Sequence, residues 1–111
     1  MLSYPHASRR PHSRVRPDIA ARFALLADTW ERETRFFSDN ERILTHPAYQ
    51  QIIGMGPFAL PFILNRLRKR GGHWSWALIC ITGEDPVDPA HAGDIHLMRK
   101  AWLRWAAARE P

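Results

Sequence analysis

Cys80 is a candidate nucleophile of this sequence, and His46 is a candidate general base. Cys80 lies in the apolar run 78–81, and a thiol in such a run usually fills space in a core. A catalytic cysteine would instead need a neighbouring base that lowers the pKa of its thiol. His46 precedes Pro47, a position that more often starts a helix. The sequence therefore predicts a buried Cys80, a structural His46 and no enzymatic activity.

The side chains that could bind a metal ion lack a recognised arrangement. Glu84, Asp85 and Asp88 supply three carboxylates close together, but their spacing is not that of an EF-hand loop. His91 and His96 are too poorly spaced for one helical face to present both. A single cysteine excludes a thiolate zinc cluster and is typical of the reducing cytoplasm. We predict no metal or other cofactor, a solvated acidic loop and a cytoplasmic location.

Positive charge is concentrated at the start of the chain. Residues 1–17 carry four arginines and no acidic residue, whereas residues 18–111 carry 12 basic and 11 acidic side chains. Three prolines and few apolar side chains leave residues 1–17 with little surface to bury on folding. We predict a disordered basic tail over 1–17 and a single helical domain over 18–111.

These cations support one hypothesis about function, which is nucleic-acid binding through contacts to phosphate groups. The end of the third predicted helix adds further basic residues, and together with the tail they could form one positive face. The alternative is that both groups are simply solvated. The candidate nucleic-acid contacts are Arg9, Arg10, Arg14, Arg16, Arg68 and Lys69.

Apolar residues recur at helical spacing along the rest of the chain, and no segment shows the alternation of a strand. Proline and glycine separate the helices, since proline favours a helix start and glycine a helix end. We predict an all-α fold of about five helices in antiparallel hairpins, with Asp39 or Asn40 capping a short additional turn. The predicted helices cover residues 18–37, 47–54, 57–70, 73–82 and 94–109.

Two tryptophans in the fourth predicted helix indicate an interaction surface. Trp74 belongs to the apolar stripe, and Trp76 lies about 200° around the helix from it, so one of the two should be partly exposed. Tryptophan is frequent at the energetic centres of protein interfaces. We take Trp76, Trp74, Arg66 and Arg70 as candidate partner-binding residues, although large aromatics could equally be needed to fill a small core.

About half of the chain resembles a HEAT-type helical hairpin. Residues 52–105 contain the segments I-I-G-M-G, A-L-P-F-I-L, W-A-L, T-G-E-D and W-L-R-W. The segments H-P-A-Y-Q at 46–50 and I-I-G-M-G at 52–56 also resemble a family of small uncharacterised bacterial helical proteins. These resemblances imply a HEAT-like helical fold from Pro57 onward, a bacterial origin and no catalytic residue. HEAT repeats usually bind proteins and sometimes nucleic acids.

The function that these observations favour is that of a non-catalytic protein-interaction module, such as an accessory subunit, an immunity protein or an antitoxin of a bacterial system. The partner would be another protein, with a nucleic acid as the alternative. No run of about 18 apolar residues occurs, so no membrane span is expected. The sequence leaves the oligomeric state open.

Overall fold

The helices account for most of the backbone that the computed structural model describes, which is residues 12–109, with side chains from residue 18 onward. No strand occurs in that part of the chain, so the predicted all-α fold is confirmed. Two short 3-10 turns, Gly56–Ala59 and Pro89–His91, accompany six α-helices. The helices are α1 (His12–Thr34), α2 (Asn40–Leu44), α3 (Pro47–Gly54), α4 (Leu60–Arg70), α5 (Ser75–Thr82) and α6 (Ile95–Arg109).

The first helix begins earlier than predicted. The predicted disordered tail covers 1–17, but the backbone of residues 12–17 is the first part of α1. Pro17 is the sixth residue of this helix, so it removes the hydrogen bond that an N–H there would donate to the carbonyl of residue 13. Residues 1–11 lie outside the described part of the chain. The helix also ends at Thr34 rather than residue 37, where the N–H of Phe37 donates to the Thr34 carbonyl at 3.0 Å in a closing turn.

The bounds of the next three helices follow from caps, prolines and glycines near their ends. The Asp39 carboxylate accepts a hydrogen bond from the Glu41 N–H at 3.0 Å, which confirms the predicted cap of the short turn, now the helix α2. Helix α3 starts at Pro47 and ends at Gly54, as predicted. The third predicted helix, 57–70, is divided, because the 3-10 turn Gly56–Ala59 precedes α4.

An aromatic cluster lies where α1, α3 and α5 meet. The ring centroids of Trp30 and Trp74 are 4.6 Å apart, and those of Trp30 and Tyr49 are 4.8 Å apart. Phe23 extends the cluster along α1, with its ring centroid 5.8 Å from that of Trp74. All four rings are buried, and large rings supply much of the apolar area that a small core needs.

Tyr49 also connects α3 to the start of α5 through its hydroxyl group. The hydroxyl donates to the His73 carbonyl and accepts from the Ala77 N–H, both at 2.9 Å. No side chain within α5 caps its first turn, so a neighbouring helix supplies the missing acceptor. Burial raises the pKa of the Tyr49 hydroxyl, which therefore stays protonated and able to donate.

Helices α4 and α6 pack side by side and run antiparallel. The Arg99 guanidinium, near the start of α6, donates to the Arg68 carbonyl near the end of α4. Trp105 and Arg109, near the end of α6, line a groove with Leu60 at the start of α4. A cation at the exposed carbonyls of a helix end is favourable. This pairing leaves an open groove between the two helices.

Candidate protein-interaction surface

Trp76 and Trp74 face opposite ways at the start of α5. Trp76 is 48% exposed, whereas Trp74 has no exposed surface. The prediction that one of the two is partly exposed is therefore confirmed. Trp74 is wrong as a partner-binding candidate, because its indole lies within the aromatic cluster and cannot reach another molecule.

Cys80 lies one helical turn after Trp76 and is exposed. The prediction of a buried Cys80 is wrong. Helix α5 carries apolar residues on nearly all sides, so the apolar residues next to Cys80 in the sequence do not show whether Cys80 faces the core. The outer face of α5 consequently presents an indole and a thiol one turn apart.

The two candidate arginines at the end of α4 are held by acidic residues of α1. The Nε and Nη2 atoms of Arg66 donate to the two Glu31 carboxylate oxygens at 2.9 and 2.8 Å, and Nη2 also donates to Asp28. These contacts raise the pKa of Arg66 further and lower the pKa of Asp28. Arg66 is only 13% exposed and acts mainly as a link between α1 and α4. Arg70 also contacts Glu31, at 3.0 Å, but its side chain is 62% exposed and available to a partner.

The candidate nucleic-acid residues do not form one described surface. Arg68 and Lys69 are exposed at the end of α4. Arg9 and Arg10 lie outside the described residues. The backbone of Arg14 and Arg16 belongs to α1, but their side chains are not described. The structure therefore places two of the six candidates together.

An open groove of about 340 Å³ lies between α4 and α6, and the sequence analysis missed it. Its floor is apolar, with Leu60, Leu64, Trp105 and Ala106, and Arg68 and Arg109 stand at its edges. In the sequence, Leu60, Leu64 and Arg68 recur every four residues and so share one face of a helix. That this face of α4 lines a groove could not be predicted without the position of α6.

Glu84 fixes the side chains at one end of this groove. Its carboxylate accepts from the Trp105 Nε1–H at 3.1 Å and from the Arg109 guanidinium at 2.7 Å. Both contacts hold the pKa of Glu84 below its usual value, the Trp105 bond most of all. The Arg109 guanidinium also stacks 4.0 Å from the centre of the Trp105 ring. One carboxylate of the predicted solvated acidic loop is thus bound to α6.

His46 serves as the N-cap of α3. Its Nδ1 accepts from the Ala48 N–H at 3.0 Å, and its Nε2 lies 2.8 Å from a Glu33 carboxylate oxygen. An acceptor at Nδ1 puts the proton of the neutral ring on Nε2, where it is donated to Glu33. Both ring nitrogens are thus occupied by structural contacts. Among the described residues, no group of three or more histidine, cysteine or acidic side chains could hold a metal ion.

We expect the His46→Ala variant to lower the free energy of unfolding by about 1 kcal/mol, because the Ala48 N–H loses its cap. His46→Asn keeps a short acceptor at this position and should recover most of the loss. Urea denaturation followed by circular dichroism measures both variants. Equal stability of the alanine variant and the parent chain would contradict a capping role.

Comparisons with protein-family models, with curated proteins and with solved structures give no significant match. The HEAT-like resemblance and the bacterial family therefore stay predictions. Within residues 12–109, no helix is both long and apolar enough to cross a membrane.

Proposed function

We propose that this chain is a non-catalytic protein-interaction module that binds another protein through the outer face of α5, with Trp76 as its anchor. The observation that supports the proposal is the 48% exposed indole of Trp76 on a helix whose inward-facing Ala77 and Leu78 have no exposed surface. Tryptophan is among the residues that contribute most to binding when they are desolvated at an interface. A module of this kind would serve as an accessory subunit, an immunity protein or an antitoxin of a bacterial system.

The backbone that carries Trp76 is fixed on both sides. Ser75, just before it, accepts a hydrogen bond from the Trp102 Nε1–H at 2.9 Å. Ala77, just after it, donates its N–H to the Tyr49 hydroxyl. An aromatic side chain on a rigid backbone loses little conformational freedom on binding, which favours affinity. Arg70, on the preceding helix, is the second predicted contact residue that keeps an exposed side chain.

The test compares Trp76→Ala with Phe36→Ala in a pull-down from nuclease-treated native cell extract. Phe36 is a matched control, because it is an aromatic residue that is 89% exposed at a different place, just after α1. We expect one stoichiometric protein partner whose affinity falls at least about tenfold with Trp76→Ala and stays unchanged with Phe36→Ala. Equal retention by both variants, with both folded by circular dichroism, would rule out Trp76 as the anchor.

Nucleic-acid binding is the second candidate, supported by the exposed Arg68 and Lys69. It has less support, because Glu31 and Asp28 offset the charge of Arg66 and Arg70. It would show as a partner lost on nuclease treatment and as binding that weakens steeply with salt. The tail deletion for this test should end at residue 11, since residues 12–17 belong to α1.

A further inference from the structure

The two helices that form the groove carry basic residues and no acidic residue. Helix α4 holds four cations and α6 another four, and neither range contains aspartate or glutamate. Ion pairs with other parts of the described chain involve Arg66, Arg70 and Arg109. On these two helices, the lysine and arginine side chains for which no ion pair is found within residues 18–109 are Arg68, Lys69, Arg99, Lys100 and Arg104.

The groove between these helices has an apolar lining with a basic residue at its edge, a pattern that suits one face of an amphipathic helix. Leu60 and Leu64 lie one turn apart on α4, facing Trp105 and Ala106 of α6. From Leu60 to Arg68 the groove follows about 12 Å of α4, which is a little over two helical turns. An amphipathic helix binds such a groove through apolar side chains at i, i+3, i+4 and i+7.

We propose that the groove between α4 and α6 binds an acidic amphipathic helix of another protein. The apolar side chains of that helix would cover Leu60, Leu64 and the exposed part of Trp105. Its carboxylates would lie beside Arg68 at one edge, since Arg109 at the other edge is already paired with Glu84. Complementary charge at the rim of an apolar interface favours association and selects against neutral or basic partners. This groove shares no lining residue with the outer face of α5, so the inference goes beyond the proposed function.

Two other occupants fit the observations less well. Nucleic-acid bases stack on free aromatic faces, but Arg109 covers a face of the Trp105 ring and Trp102 packs against it with centroids 5.4 Å apart. Phosphates would also leave the apolar floor unpartnered. A second copy of this chain, docked groove to groove, would bring two basic rims together, and like charges across an interface are unfavourable.

The test is selection of 16-residue peptides from a random phage-displayed library against the full chain. We expect the recovered peptides to be rich in aspartate and glutamate and to carry apolar residues at i, i+3, i+4 and i+7. A synthetic peptide of this consensus should bind at least about tenfold more tightly than a scrambled isomer of the same charge, as measured by fluorescence anisotropy. Equal binding of the scrambled isomer, or recovery of peptides without acidic enrichment, would overturn the proposal.

Charge reversal then locates the site. Arg68→Glu should weaken consensus-peptide binding at least about tenfold, and Arg32→Glu, an exposed arginine on α1, should have little effect. Leu64→Gln should also weaken binding, and circular dichroism establishes that each variant is folded. Binding that Arg68→Glu leaves unchanged would overturn the proposal. Trp76→Ala should not alter peptide binding. A negative result for the groove would therefore leave the proposed binding at Trp76 untouched, and the reverse also holds.

Discussion

Replacing Tyr49 with phenylalanine should lower the free energy of unfolding by about 3 kcal/mol, measured by urea denaturation at neutral pH. The ring would stay in the aromatic cluster, so the change removes the hydroxyl group alone. The buried Ala77 N–H and the part-buried His73 carbonyl would then lose their partner, and an unsatisfied buried group costs about 1–3 kcal/mol. Most of this loss falls on the first turn of α5.

Thr45→Val is the matched control for loss of a hydroxyl group. The Thr45 hydroxyl donates to the Glu41 carbonyl at 2.6 Å, but in an exposed position where water can replace it. We expect this variant to stay within about 0.5 kcal/mol of the parent chain. If Tyr49→Phe and Thr45→Val had equally small effects, the Tyr49 hydroxyl would not be the cap of α5.

The second large effect concerns the ion pairs between α1 and α4. Arg66→Met should lower the free energy of unfolding by about 1.5 kcal/mol at pH 7, because it leaves Asp28 and Glu31 without their main cation. The expected loss is modest because Asp28 is largely exposed, and solvent screens its charge. Arg32→Met, which breaks only a 4.0 Å contact with Glu33 on the surface, should change stability by less than about 0.5 kcal/mol.

The effect of Arg66→Met should also depend on pH. The hydrogen bond from Arg66 lowers the pKa of folded Asp28 below the usual value of an aspartate carboxyl. A lowered pKa in the folded state means that this contribution to stability is present above the usual aspartate pKa and is lost as the pH falls through the lower pKa of the folded state. The difference between parent and variant should therefore shrink in acid. A difference that stays constant from pH 7 to acid would contradict the pairing with Asp28.

Local signals in the sequence predicted the short elements well. The bounds of α3 follow from Pro47 and Gly54, and the end of α5 follows from Gly83, which takes a left-handed φ of 73°. Prolines and glycines at or next to the helix ends therefore predicted these bounds correctly. Helix α1 begins at His12 rather than at residue 18, so Pro17 does not mark its start.

The candidate sites were harder to predict because they depend on contacts between distant parts of the chain. Glu31 and Arg66 are 35 positions apart, and Tyr49 and Ala77 are 28 positions apart. Helical spacing separated Trp74 from Trp76 and placed Trp74 on the inward stripe, where it is fully buried. Cys80 was misplaced because α5 is apolar on both its inner and its outer face. The groove required the position of α6 beside α4, which no local pattern supplies.

The aromatic cluster has a consequence for how the outer face of α5 meets a partner. Because Trp74 packs on Trp30 and Tyr49, and Tyr49 holds the first turn of α5, this helix cannot detach without breaking the contacts among α1, α3 and α5. Local unfolding of α5 should therefore cost nearly as much free energy as unfolding of the whole cooperative unit. A partner at Trp76 would dock onto a surface that already has its final shape, and its association rate would be set by collision and orientation.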